Sequence, residues 1–168
     1  MPRGAAGADA PGPGTDGAGV AASRAITRVA HISEIPTSPA VASLIEGAIK
    51  AEMFAGFREA RLGKSVGLTQ FGVNMVTLEP GSISSLRHWH EAEDEFVLVL
   101  TGEVTLIDEN GEHALRAGHL AGFPAGAANG HHLLNRSAAS ATCLVVGARR
   151  PGAETIHYPD DDLGPIRK

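Results

Sequence analysis

Residues 96–126, FVLVLTGEVTLIDENGEHALRAGHLAGFPAG, limit the fold more than any other part of this sequence. The apolar runs have the length of single strands, and Gly102, Asn110-Gly111, Gly118 and Pro124 punctuate them. Asn110-Gly111 is a hairpin signal, because both residue types tolerate the positive φ of a tight turn. Upstream, FGVNMVTLEPG (71–81) reads as a strand ending in a Pro-Gly turn. Downstream, HHLLNRS and ATCLVVGA add two more strands around a turn. Many short strands with no sustained helical period specify an all-β chain, an antiparallel sandwich or barrel.

The N-terminal third carries weaker signals. AITRVAHI (25–32) is predicted as a first strand from its β-branched residues and partial alternation. SPAVASLIEGAIKAEMF (38–54) is expected to hold a short helix or turn, with Pro39 at an early helical position and Gly47 interrupting. EARLGKSVGLTQ (59–70) reads as a polar connection. Residues 1–24 are Gly, Ala and Pro with almost nothing to bury, and are expected to be a disordered tail. The remaining 25–168 are expected to form one domain with its barrel core over about 70–148. Residues 149–168, proline-broken and acidic, are expected to extend over the barrel or hang free.

Charge and cysteine content narrow the partners. With 14 basic and 19 acidic side chains there is no basic patch, so no nucleic-acid partner is expected. Cys143 is the only cysteine, which excludes an intramolecular disulfide and suits a cytoplasmic location. It sits in the apolar run ATCLVVGA, where a small buried thiol is expected. No apolar run approaches the ~20 residues of a membrane span, and the N-terminus lacks the apolar segment of a secretory signal.

RHWHEAEDEF (87–96) is where chemistry concentrates. On a strand, alternate side chains share a face, so His88 and His90 point the same way, roughly 6.6 Å apart along the chain. Two imidazoles so placed can converge on one ion. Trp89 points oppositely, into packing. Glu95 shares a face with Val97 and Val99 and is expected to project inward, where a carboxylate is costly unless paired or metal-bound. Glu91, Glu93 and Asp94 read as solvated turn residues. A fourth donor comes from GHHLLNRS: His131 shares a face with Leu133 and Asn135, His132 faces the other way, and one of the two should enter the cavity. Imidazole with carboxylate and no thiolate suits one divalent transition ion, Zn, Fe, Mn or Ni. No convincing catalytic base or substrate-binding residue stands out, and Arg87, Arg116 and Arg136 are candidates for a phosphate by charge alone.

These spacings resemble a known family. GSISSLRHWHEAEDEFVLVLTG is similar to the first cupin motif, with Gly81, His88-x-His90, Glu95 and Gly102 in its positions. GHLAGFPAGAANGHHLLN is similar to the second, with Gly118, Pro124-x-Gly126, a histidine and Asn135. There are departures: Gly81 to His88 is one residue longer than usual, and NG is inserted after Gly126. Spacing from Gly126 would put Asn129 in the ligand position; counting back from Asn135 puts His131 there, with His132 as the substitute. The resemblance, over about 70–148, implies a cupin-type double-stranded β-helix, a jelly-roll barrel, with a short helical or extended N-terminal segment. It also implies a metal held by His88, His90, Glu95 and His131.

GLTQFGVNMVTLEPGS, FPAGAANGHHLLNRS and IHYPDDDL further resemble bacterial single-domain cupins described provisionally as sugar-phosphate isomerases. A metal-dependent isomerase on a small sugar or sugar phosphate is therefore expected, with an iron-dependent dioxygenase and a non-catalytic ligand-binding cupin as alternatives. The resemblance also implies a homodimer, and pairing would cover exposed sheet edges. Tyr158-Pro159 is expected to anchor the tail to the barrel.

Overall fold

A computed structural model describes residues 28–39 and 51–168. Twelve strands lie among them: β1 (Thr37–Ser38), β2 (Phe57–Ala60), β3 (Phe71–Leu78), β4 (Trp89–His90), β5 (Glu95–Thr101), β6 (Glu103–Asp108), β7 (Gly111–Arg116), β8 (Leu120–Phe123), β9 (His132–Leu134), β10 (Ala141–Ala148), β11 (Thr155–His157) and β12 (Ile166–Arg167). One short helix, α1 (Leu62–Ser65), follows β2. The six-stranded sheet runs β1-β2-β3-β10-β5-β8, and two three-stranded sheets run β7-β6-β9 and β12-β11-β4. All pairings between these strands are antiparallel.

Alternation decides what is buried. Val76 and Leu78 of β3, Val97 and Val99 of β5 and Cys143 of β10 face inward. They meet Val104 and Leu106 of β6 and Leu133 of β9 across the gap between sheets. Removing these side chains from water is the main favourable term, and one mixed face from two sheets makes one core. Cys143 is in that core, and burial pushes its thiol up to about 11, leaving it inert. Among the described residues no helix is long and apolar enough to cross a membrane.

Several local expectations change. No strand covers 28–31, and Ile32–Glu34 form a single 3-10 turn. The His31 ring accepts from Ser33 N and the Glu34 carboxylate accepts from His31 N, so local caps satisfy the backbone in place of a ladder. Val29 is 91% exposed, so alternation there has nothing to bury against. Residues 1–27 and 40–50 lie outside the described residues, which removes the expected tail and most of the 38–54 segment from view; Ala51–Phe54 is a 3-10 turn. The 59–70 connection is not irregular throughout: Glu59 and Ala60 close β2, because Phe57 and Ala60 are buried against β3, and α1 follows. In the β6–β7 hairpin Asp108 pairs with Gly111, so the loop is Glu109-Asn110, one residue earlier than expected. The Asp108 side chain accepts from Asn110 N at 2.8 Å, and only Gly111 takes a positive φ.

Candidate metal centre

One isolated bridge and one sheet fix the HxH segment. The backbone of His88 exchanges hydrogen bonds with that of His131, at 3.2 and 2.9 Å, while His90 pairs with Ile156 of β11. Trp89, between them, turns outward and stacks on His157 at 4.1 Å with 5° between the planes. Glu95 opens β5, opposite Gly147 on one side and Phe123 on the other. Its carboxylate thereby reaches the two imidazoles: Glu95 Oε2 is 3.5 Å from His90 Nε2. Donor atoms of His88, His90 and Glu95 all lie within 4.8 Å of one another, a group that could hold a metal ion.

The protonation pattern is forced by the partners. His88 Nδ1 faces the Leu86 carbonyl at 2.9 Å and must donate to it. His90 Nδ1 donates to the Glu154 carboxylate at 3.0 Å. His131 Nδ1 donates to the Asn129 carbonyl at 2.9 Å. Each ring therefore presents Nε2 to the interior. The Nε2 atoms of His88 and His90 are 3.1 Å apart. Two bare ring nitrogens repel at that distance, so a positive charge belongs between them, supplied by a proton or by a cation. Two nitrogens bound to one ion at ~2.0–2.1 Å and at a right angle would be about 3 Å apart, so the observed spacing fits a shared metal.

His131 stands beside this group rather than inside it. Its ring lies 5.2 Å from the His88 ring and stacks on Phe123 at 3.5 Å. Among the described residues its buried Nε2 has no hydrogen-bond partner. His132, the substitute, is also among the residues around the deeper cavity. Its Nδ1 is committed to the Ser85 carbonyl at 3.0 Å.

Burial pushes His88 down to about 4, against the pull of Glu95. Burial also lowers His131. For His90, burial acts downward too, but the Glu95 and Glu154 carboxylates outweigh it and raise the ring above its ordinary value. Burial would raise Glu95, yet the bond from His90 and the surrounding imidazoles leave its carboxyl below the usual range. Metal ligands must be deprotonated. His88 and Glu95 are held towards their deprotonated forms, and His90 towards the protonated form that a metal would have to displace. Metal binding is thus expected to release protons and to tighten as pH rises through the raised His90 value, levelling off above it. Calorimetry in two buffers of different ionisation enthalpy reads the release; none at any pH below the levelling point would contradict it.

A cavity of about 480 Å³ opens beside the donors, lined by Phe57, Glu59, Asn74, Ser85, Val145 and Tyr158 among others. A deeper volume of about 170 Å³ continues past His131 to Val97 and Leu106. The phosphate candidates chosen by charge do not line either. Arg87 is tied to Glu109 and Asp160, Arg116 to Glu103, and Arg136 to Glu112. The turn acids are more than solvated: Glu93 accepts from Arg150 N, Asp94 from Ala125 N, and Glu91 pairs with His157.

Sequence reasoning missed Glu154. It is 1% exposed, and its two oxygens take His90 Nδ1 and the Ala92 N–H at 3.0 and 3.1 Å. The C-terminal segment delivers it: β11 pairs with β4, and Pro159 packs where Gly130 has no side chain. A Cβ on Gly130 would sit 2.7 Å from Pro159 Cγ.

Comparison with known proteins adds the following. The cupin domain family matches residues 74–147. A sugar phosphate isomerase of the cupin superfamily from Silicibacter pomeroyi is 44% identical with a TM-score of 0.73, over 83% of this chain and 90% of that one. An Acidithiobacillus ferrooxidans protein, provisionally described as a sugar phosphate isomerase, is 35% identical with a TM-score of 0.59, over 62% of this chain and 65% of that one. A predicted oxalate decarboxylase from Thermotoga maritima is 22% identical with a TM-score of 0.58, over 73% and 100%, a likeness of fold alone. No curated protein matches the chain.

Proposed function

The chain belongs to the cupin superfamily and has its jelly-roll fold, and on that footing we propose that it is a metal-dependent isomerase of a small sugar or sugar phosphate. The observation that carries this is the convergence of His88, His90 and Glu95 on the wall of a cavity of about 480 Å³, a volume suited to a small polar molecule. The sugar phosphate isomerase from Silicibacter pomeroyi supports the substrate class.

His88, His90 and Glu95 would hold the ion, with the bare Nε2 of His131 beside them. A divalent ion would supply Lewis-acid stabilisation of negative charge on adjacent substrate oxygens. The Asn74 amide and the Ser84 and Ser85 hydroxyls line the cavity and suit substrate hydroxyls. Phe57, Val145 and Ile156 make the apolar wall that limits water. Aldose–ketose isomerisation also needs a group that carries a proton between adjacent carbons. Glu59, whose side chain faces both parts of the cavity and is steadied by Arg61 at 2.7 Å, is placed to do so.

The test is incubation of metal-loaded protein with a panel of aldose and ketose phosphates in deuterated water, followed by NMR. Interconversion with deuterium entering beside the carbonyl is expected, and Glu59→Gln should abolish it at unchanged metal content. No exchange with any member of the panel would remove the isomerase reading.

A further inference from the structure

The outer rim of the cavity carries positive charge for which the metal-binding wall has no use. Strand register lays the inner wall of β3, β10 and β5 out in rows. Asn74, Val145 and Val97 form one row, and Gly72, Gly147 and Glu95 form the next, towards the mouth. Arg149 stands one row further out and, by alternation, on the same face as Val145 and Gly147. Its guanidinium folds back over Gly72, where a Cβ would lie 3.0 Å from Arg149 Nη2. The paired glycines thus leave bare backbone between the Glu95 carboxylate and the guanidinium.

Arg61 lines the same cavity but is spent on Glu59. Arg149 and Lys168 also line it, and among the described residues neither has an ion-pair partner; Arg167 alternates with the cavity-facing Ile166 and acts on Glu91 instead. Glu93 and Asp94 line the same cavity, and each accepts a backbone N–H, from Arg150 and Ala125, that holds its carboxylate away from the guanidinium, with which neither forms an ion pair. Two unpaired cations on one rim, Arg149 and Lys168, suit a phosphate monoester, with its charge of about −1.5 to −2, better than a single carboxylate. A guanidinium adds two parallel donors that match phosphate oxygens. From Glu95 on β5 to the guanidinium over β3 is two interstrand spacings, roughly 10 Å. A short polyhydroxy chain bridges such a gap, with its oxygens at the metal donors and a terminal phosphate at the rim.

We infer that Arg149, with Lys168 beside it, is the binding site for the terminal phosphate of the substrate, which lies along the Gly72–Gly147 floor. This deepens the isomerase reading and rests on it for the metal-facing end of the substrate. Gly72 and Gly147 are then spacers as well as strand residues, since a side chain at Gly72 would displace the guanidinium.

The test is calorimetric titration of inorganic phosphate into the full chain, its Arg149→Ala variant and its Arg149→Lys variant, with metal content measured on the same samples. Arg149→Ala is expected to weaken phosphate binding by about tenfold or more. Arg149→Lys, which keeps the charge and loses the fork, should fall between the two. All three chains should hold equal metal. Equal phosphate affinity in wild type and Arg149→Ala, or no phosphate binding by wild type, would overturn the inference. Phosphate held by the metal alone falls in the first of these classes. Metal content separates the two claims. Arg149-dependent phosphate binding by a chain that takes up no metal would keep the phosphate site and remove the metal-dependent enzyme.

Discussion

A Glu154→Ala chain is expected to hold its metal about 10–100-fold more weakly than wild type, and to be less stable even without metal. The Glu154 side chain is 0% exposed, so its charge has left water entirely. It is kept there by two donors, His90 Nδ1–H at 3.0 Å and Ala92 N–H at 3.1 Å. Truncation leaves both donors buried without partners, at about 1–3 kcal/mol for each group. It also releases the His90 ring, whose Nε2 then no longer has to face His88 Nε2. Glu154→Gln can still accept from one donor and should lose less on both counts. Chelator competition gives the metal affinity, and urea unfolding of the metal-free chain gives the stability. An unchanged affinity in a folded Glu154→Ala chain would mean that His90 is oriented by something else.

Gly102→Ala is expected to cost about 2–5 kcal/mol, from backbone strain and overpacking together, out of a typical domain stability of about 5–15 kcal/mol. Gly102 joins β5 to β6 with φ +76, in the left-handed region. A Cβ there would meet Ser140 O at 2.8 Å and Ala141 Cα at 2.9 Å. Both are main-chain atoms, and Ala141 is fully buried, so neither can give way cheaply. Gly111→Ala is the matched control: its φ is +118, but among the described residues a Cβ would meet nothing within 4 Å. It should show only the backbone strain, about 1–3 kcal/mol. Equal losses in the two variants, by thermal or urea unfolding, would remove the packing contribution.

What was legible in the sequence follows from how local each signal is. The β3, β5, β6, β9 and β10 strands are visible because burial on one face imposes alternation, and β7 and β8, which bury no full face, because punctuating glycines mark where the chain turns. That same alternation placed His88, His90 and Glu95 on converging faces, two residues or one strand apart. The signal failed where a local bond outcompeted the ladder. His31 and Glu34 cap each other and end the expected first strand, and Asp108 draws the hairpin turn one residue back.

It also failed where partners are remote. Glu154 is 64 residues from His90, and nothing in AETIHY marks its carboxylate as buried. His131 was chosen by counting back from Asn135. Asn135 is fully buried and its side-chain nitrogen donates to the Leu78 and Ala139 carbonyls, which pins the register of this segment. Arg149 carries no signal in the sequence, because charge alone cannot rank arginines; its position over Gly72 is a property of two paired strands. Arg87, Arg116 and Arg136 carry the same charge and spend it on acidic neighbours.

The most direct measurement is metal content by elemental mass spectrometry, on wild type and on a His88→Ala/His90→Ala chain checked for folding. The 3.1 Å approach of two forced Nε2 atoms leads us to expect about one transition-metal ion per wild-type chain, and none in the folded double variant. A folded wild-type chain that takes up no metal after reloading with zinc, iron, manganese and nickel in turn would contradict it, leaving a proton as the charge between the two rings.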